Sequence, residues 1–401
     1  METVLTLDPR QTMILAILVL FLGRFLNRNL AFCQKYNIPE PVSGGIMVSL
    51  VLSLLYAFFQ LSVDFSLHQR DILLVVFFTG IGLSAKFANL LSGGKTLLIL
   101  LLLAIGYLFL QNITGITLAQ STGLASELGV LTGSVSLSGG HGTAIAWAPT
   151  FIEQYGISNA GEIGVACATF GLVLGGIAGG PIASFLIRRH KLTPEQKAQV
   201  SVGVVNESRQ KVTVDAIFSC LLTLAVAIGI GIHLHQLLAA LGINLPAFVP
   251  CIFGGILLTN TLPLLFPKLP WPTGTPTLAL VSEVSLGLFL AMSLMSLQLW
   301  TLIDLALPVL LILAAQVLVV TLFSILLVFR LLGKNYDAAV IASGYAGLAL
   351  GATPTAIANM TAVTKKYGAS PLAFVVVPLV GAFFIDISNA VIIQRMLSLL
   401  A

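Results

Sequence analysis

Gly139-Gly140-His141-Gly142-Thr143-Ala144-Ile145-Ala146, running on to Tyr155-Gly156, is copied later in the chain as Gly351-Ala352-Thr353-Pro354-Thr355-Ala356-Ile357-Ala358, running on to Tyr367-Gly368. The offset is constant at 212 residues (355 − 143 = 212; 367 − 155 = 212). Seven of the 18 positions from Gly139 to Gly156 are identical in the second copy, where composition alone gives roughly one or two. The same offset aligns Phe77 with Phe289 and Ser84 with Ser296. The repeat is therefore a half-chain, and the two copied stretches are its landmarks.

Composition sets the medium in which these halves fold. Of 401 residues, 57% are hydrophobic and 8% are charged, whereas soluble domains carry about 25% charged residues. Apolar runs such as 12–23 and 96–110 are too frequent to leave a water-facing surface, which makes the chain a polytopic membrane protein. The runs are continuous rather than alternating, which excludes a β-barrel and predicts an all-α fold. The net charge of +4 comes from basic residues scattered between spans, so no nucleic-acid surface is expected. Cys33, Cys167, Cys220 and Cys251 are far apart and form neither a disulfide framework nor a zinc motif. Gly23-Arg24-Phe25-Leu26-Asn27-Arg28 follows the first apolar run and lacks a small-residue cleavage site, so that run is expected to remain as a span.

The apolar segments are 12–30, 43–60, 71–91, 96–119, 128–150 and 162–187, then 213–240, 247–266, 277–299, 302–329, 336–362 and 371–397. Lysine and arginine decide which of them cross. If the fifth segment of each half dips in and returns, and the N-terminus starts outside, the cytoplasmic side receives 16 of the 19 basic residues, leaving only Arg10, Arg70 and Arg395 outside. Six full crossings per half would put Arg330 and Lys334 opposite Lys365 and Lys366. Five crossings per half force the two homologous halves to sit upside down to each other, an inverted repeat of the kind used by secondary transporters. The expected organisation is a first repeat over 1–187 with a re-entrant hairpin at about 128–158, and a cytoplasmic linker over 188–212. A second, inverted repeat over 213–401 has its hairpin at about 336–366. Both termini are expected on the periplasmic side, and the two hairpin tips should meet near the midplane.

The tips carry the candidate chemistry. Five glycines and three serines between Gly129 and Gly142 are unsuited to a lipid-facing helix, and broken backbone at membrane depth belongs where it lines a protected cavity. Thr353 as a helix cap with Pro354 at the first helical position would start a helix at the second tip, with a helix starting near Thr143 in the first copy. Two such N-termini present free N–H donors to an anion. The substrate-site candidates are thus Ser138, Gly139, Gly140, His141, Gly142, Thr143, Gly351, Thr353, Pro354, Thr355 and Asn359. Hydroxyl and carbonyl oxygens there suit a hard cation such as sodium, and Asp386, mid-span in the last helix, is a carboxylate that apolar surroundings do not tolerate without a function. No lysine or arginine falls at midplane depth, which points to ion-coupled uptake of an anion. The ladder Gly171, Gly175, Gly179 is read as a packing surface for a hairpin rather than a phosphate loop.

Ser138-Gly139-Gly140-His141-Gly142-Thr143, the Gly351–Met360 stretch and Val380-Gly381-Ala382-Phe383-Phe384-Ile385-Asp386 resemble the bacterial glutamate:sodium symporter family. So do Ile38-Pro39-Glu40-Pro41 and Gly333-Lys334-Asn335-Tyr336-Asp337-Ala338-Ala339-Val340. The resemblance covers nearly the whole chain, with one departure at Tyr345, where some members carry histidine. It implies an inner-membrane carrier that takes up L-glutamate with sodium ions, without other cofactors, and with no enzymatic activity. Its likeness to the 2-hydroxycarboxylate carriers implies a homodimer with an elevator motion. The sodium candidates are Thr353, Asn359, Asp386 and Asn389. Three other readings compete: a carrier of a di- or tricarboxylate such as citrate or malate, a channel, and an intramembrane hydrolase built on Ser138 and His141.

Overall fold

Apolar chain in an apolar medium must satisfy its backbone internally, and here it does so almost entirely as helix. The computed structural model describes residues 3–35, 38–86, 94–194, 212–241, 245–266, 271–298 and 305–400. In order these form β1 (Thr3–Leu7), α1 (Pro9–Asn29), α2 (Ala31–Lys35), α3 (Glu40–Phe59), β2 (Leu61–Phe65), α4 (His68–Ser84), α5 (Gly94–Ser121), α6 (Ser126–Val130), α7 (Gly140–Tyr155) and α8 (Ala160–His190). The second half adds α9 (Val214–Ala240), α10 (Phe248–Leu265), α11 (Pro276–Met295), α12 (Ala306–Phe323), α13 (Tyr336–Leu350), α14 (Thr353–Tyr367), α15 (Pro371–Leu379) and α16 (Ile385–Leu400). Short π-helical turns at Leu131–Val135, Ser324–Val328 and Val380–Phe384 extend α6, extend α12 and join α15 to α16.

Polar residues at the ends of the apolar runs start several of these helices. Asp8 accepts from the backbone of Arg10 (2.7 Å) and Gln11 (2.9 Å), while the Gln11 side chain returns a bond to Asp8, so α1 begins with a complete capping box. Thr213, Thr275 and Asn335 cap α9, α11 and α13 through single side-chain oxygens.

Eight helices among the described residues are long and apolar enough to cross a membrane: α1, α3, α5, α8, α9, α10, α11 and the Ala306–Leu331 run. The ten crossings expected from the sequence also need α4, which is 17 residues, and the run from Pro371 to Leu400, which a π-helical turn interrupts. The helices themselves follow the repeat. Shifted by 212, α4 becomes 280–296 and falls on α11. Likewise α5 becomes 306–333 and falls on Ala306–Leu331, α7 becomes 352–367 and falls on α14, and α8 becomes 372–402, against Pro371–Leu400. Among the described residues, the departure from helix is a parallel strand pair, β1 with β2, in register from Thr3–Leu61 to Leu7–Phe65.

The chain forms two compact units, and neither is a sequence half. The first combines Met1–Lys86 with Glu207–Ile303, and so holds α1–α4 and α9–α11. Its interior includes a cluster of Leu83, Cys220, Leu224, Ala227, Leu258 and Leu278, and another of Ala16, Val19, Ala291, Met292 and Met295. The second combines Phe87–Asn206 with Asp304–Ala401 and holds α5–α8 with α12–α16, including both copied stretches.

Candidate functional site

Both copied stretches are helix–break–helix hairpins. The first descends through α6 and the π-helical turn, breaks at Gly133 (φ −93°, ψ −122°), and rises as α7. The second descends as α13, breaks at Gly351 (φ −143°, ψ −90°), and rises as α14. At 1.5 Å per residue, α7 (16 residues), α13 (15) and α14 (15) are each about 22–24 Å long, against about 30 Å of hydrocarbon.

The rising arms start slightly earlier than the sequence indicates. Ala352, with extended backbone, is the cap of α14, so Thr353 and Pro354 take its first two helical positions. In the first copy α7 begins at Gly140, three residues before Thr143, because Gly140 (φ +68°) makes the sharp turn itself. Neither helix has a side-chain cap. Their first-turn amides, from Gly140, His141 and Gly142 in one and Thr353 and Thr355 in the other, have no acceptor within their own helices. The tips meet: a Cβ placed on Gly140 would lie 3.6 Å from the Gly351 carbonyl oxygen.

Around this meeting point the predicted residues divide. Ser138, at the first tip, donates to Gln111 Oε1 (2.6 Å) and lies 3.2 Å from the Ala349 carbonyl of the second hairpin. Gly139 packs on Thr143, and Ser138, His141, Thr143 and Thr355 are all buried. The Thr355 hydroxyl has no partner among the described residues, Gly142 is half-buried, and Pro354 is exposed. Thr353 Oγ1 lies 2.5 Å from where a Gly381 Cβ would be, which brings the second tip to the π-helical turn just before Asp386. His141 Nε2 meets Thr169 Oγ1 of α8 at 3.0 Å. Thr169 already donates its hydroxyl hydrogen to Val165 O (2.8 Å), so His141 is the donor and carries its proton on Nε2. Ser138 and His141 therefore face different partners and form no nucleophile–base pair.

Asn359 is deeper in α14 and is used for architecture. Its Nδ2 donates to Gly175 O (2.9 Å) and reaches Ser343 O (3.5 Å). The glycine ladder makes this approach possible: a Cβ on Gly171 would strike the Leu350 carbonyl, one on Gly175 would lie 3.2 Å from Leu350 Cβ, and one on Gly179 would strike Asn359. The ladder is the surface on which the second hairpin rests. Asn389, by contrast, goes to the first hairpin, donating to Ser134 O (2.8 Å). The four sodium candidates are thus distributed over separate contacts, and no hydrogen-bond or ion-pair partner reaches Asp386 among the described residues.

Two polar residues at the hairpins are not singled out by the sequence, Gln111 and Asn112, adjacent and fully buried on α5. Asn112 Oδ1 accepts from Ser134 N (2.9 Å) at the first break, which holds the non-helical Gly133 in place. Near this break Asn112 Nδ2, Ser134 Oγ and Asn389 Oδ1 are buried without partners among the described residues. Buried polar atoms in native proteins are nearly always partnered, which makes this unpartnered set unusual.

The bundle of membrane-length helices that brings these groups together is of a transporter class, as its likeness to known proteins shows. The family model for sodium/glutamate symporters matches residues 5–369, and the chain belongs to that family. It is 45% identical to the sodium/glutamate symporter of Escherichia coli (strain K12) over 399 residues, covering 98% of each chain. The same identity and coverage hold for the Shigella flexneri protein of that name. The corresponding Haemophilus influenzae protein is 42% identical over 395 residues, 97% of each chain.

Proposed function

We propose that this protein is a sodium-coupled symporter that takes up L-glutamate across the bacterial inner membrane by alternating access. The observation that carries the proposal is the meeting of the two uncapped hairpin tips at Gly140 and Gly351, in a chain of the sodium/glutamate symporter family. Glutamate brings carboxylates that the free amides of the two first turns would receive, with the Ser138, Thr143, Thr353 and Thr355 hydroxyls beside them. No fixed cation is required, because sodium supplies the balancing charge. Its oxygen ligands would come from Asn389 Oδ1, Ser134 Oγ and Asp386 on one side, and from Thr353 and the Asn359 carbonyl oxygen on the other.

In this reading the repeats 1–187 and 213–401 have opposite orientations, their hairpins enter from opposite faces, and the termini are periplasmic. The unit that contains both hairpins moves as an elevator. The other unit, whose exposed apolar side chains include Phe58 and Leu264, serves as scaffold and forms the homodimer contact. Short rising and descending helices of about 22–24 Å support the re-entrant assignment, since none could cross the hydrocarbon alone.

The test is uptake of labelled L-glutamate by purified protein in proteoliposomes. Uptake should follow an inward sodium gradient and vanish when potassium replaces sodium; uptake indifferent to sodium would sink the proposal. Excess citrate or malate displacing glutamate more effectively than unlabelled glutamate would shift the substrate to a di- or tricarboxylate.

A further inference from the structure

Gln111 lies on α5, outside both hairpins, yet it is bonded to both tips. Its Nε2 donates to the Ala349 carbonyl (2.9 Å), two residues before the Gly351 break, and its Oε1 accepts from Ser138 (2.6 Å), one residue before Gly139. The Ala349 oxygen can only accept, which fixes the amide orientation and leaves Oε1 for the serine. Ser138 closes the triangle by lying 3.2 Å from the same carbonyl. The helix that carries Gln111 is itself braced, because Gln316 Nε2 on α12 donates to the Gln111 carbonyl (2.8 Å). Gln111 and Gln316 are both fully buried, so these bonds face no competition from water.

The arrangement has no counterpart in the other repeat. Adding 212 turns Gln111 into Phe323 and Ser138 into Leu350, and subtracting it turns Ala349 into Leu137. Both polar side chains of the clamp, Gln111 and Ser138, are replaced by apolar ones at the equivalent places, while the third member is a backbone carbonyl that Leu137 also has. The clamp is therefore a feature of one side of the duplicated frame and not of the repeat itself.

We propose that Gln111 is a positioning residue that holds the two hairpin tips in register as one rigid element, and thereby sets the affinity for glutamate. The inference rests on the tips being the transport site, and goes beyond it by assigning the part that fixes their spacing. A Gln111→Met variant keeps the side-chain length and loses both bonds. A Gln111→Glu variant reproduces both bonds only when its carboxyl is protonated, since the protonated acid can donate to Ala349 O and accept from Ser138.

Two readouts test this in the full-length protein. The first is amide hydrogen exchange, which needs no transport: Gln111→Met should raise exchange at residues 136–143 and 349–355 together, and unchanged protection at either tip overturns the proposal. The second is sodium-driven glutamate uptake with equal pH on both sides. Gln111→Met should raise KM at least tenfold with the maximal rate within threefold of the parent, whereas a KM within twofold overturns the proposal. If Gln111→Met does not fold, Gln111→Glu decides: its KM should approach the parent at pH 5 and climb by pH 8, and a KM independent of pH overturns the proposal. A parent protein that fails to transport glutamate would instead reject the functional reading, and the exchange measurement would still judge the clamp.

Discussion

Gly171→Ala and Gly106→Ala add the same methyl group to a glycine in a long membrane helix, and they should have opposite effects. Alanine in a helix interior is favoured over glycine by about 0.8–1 kcal/mol, a gain common to both sites. Gly106 on α5 faces open space, with no atom within 4 Å of its added Cβ, so that gain stands alone. At Gly171 the methyl overlaps the Leu350 carbonyl oxygen and comes within 2.8 Å of Leu137 Cδ2. Ordinary carbon contacts sit at about 3.5–4.0 Å. Leu137 can rotate away, but the Leu350 carbonyl is backbone at the last residue before the Gly351 break, and it can retreat only by moving the tip. Overpacking of this kind costs about 1–3 kcal/mol. The propensity gain cancels in the comparison, so Gly171→Ala should be about 1–3 kcal/mol less stable than Gly106→Ala. A tip displaced on the order of 1 Å should also reduce glutamate uptake at subsaturating substrate by at least tenfold. The assays are thermal unfolding in detergent and initial uptake rates in proteoliposomes. If the two variants matched in both, the close contact between α8 and the second hairpin would be refuted.

Two further outcomes follow from single side chains. Asn389→Ala removes the bond to Ser134 O, which should cost about 1–3 kcal/mol in unfolding experiments and raise the sodium concentration for half-maximal uptake at least tenfold; an unaltered sodium dependence would exclude Asn389 from the ion site. Asn335→Ala deletes the cap of α13 at the end remote from the tip, so it should lower stability by about 1 kcal/mol while leaving the glutamate KM unchanged. A tenfold rise in that KM would mean that the far end of the hairpin controls the tip.

Much of the architecture is legible in the chain because the signals are local or duplicated. Hydropathy marks the spans, and the 212-residue copy marks both hairpins. Gly133, Gly140 and Gly351 lie where the backbone leaves helical geometry, within the glycine-rich stretches that mark the tips. The ladder from Gly171 is legible as a packing surface for a hairpin, although which of the two hairpins rests on it is not. Gln111 and Asn112 were missed for a different reason. They are neutral, lie in a strongly apolar run, and are unduplicated, so neither charge nor repeat draws attention to them. Adjacent amides in the middle of a 28-residue apolar helix were the available signal, since such groups need buried partners. The cap of α14 is off by one residue because Thr353 and Ala352 are separated only by backbone geometry. The β1–β2 pair is invisible to local pattern, because strands of five residues that pair across more than fifty positions gain their stability from the fold around them.

The interleaved composition of the two units also constrains how the chain can be made. Each unit draws on both halves, so neither half can complete one by itself. Gly140 meets a residue 211 positions downstream (351 − 140 = 211), and Ser134 receives its bond from a residue 255 positions downstream. At about 5–20 residues per second the ribosome needs about 10–40 s to supply the first of these partners. Throughout that interval the first hairpin is already synthesised, with the contacts that its tip makes to the second half still unmade. Biogenesis, and not only transport, therefore depends on the two copies finding one another.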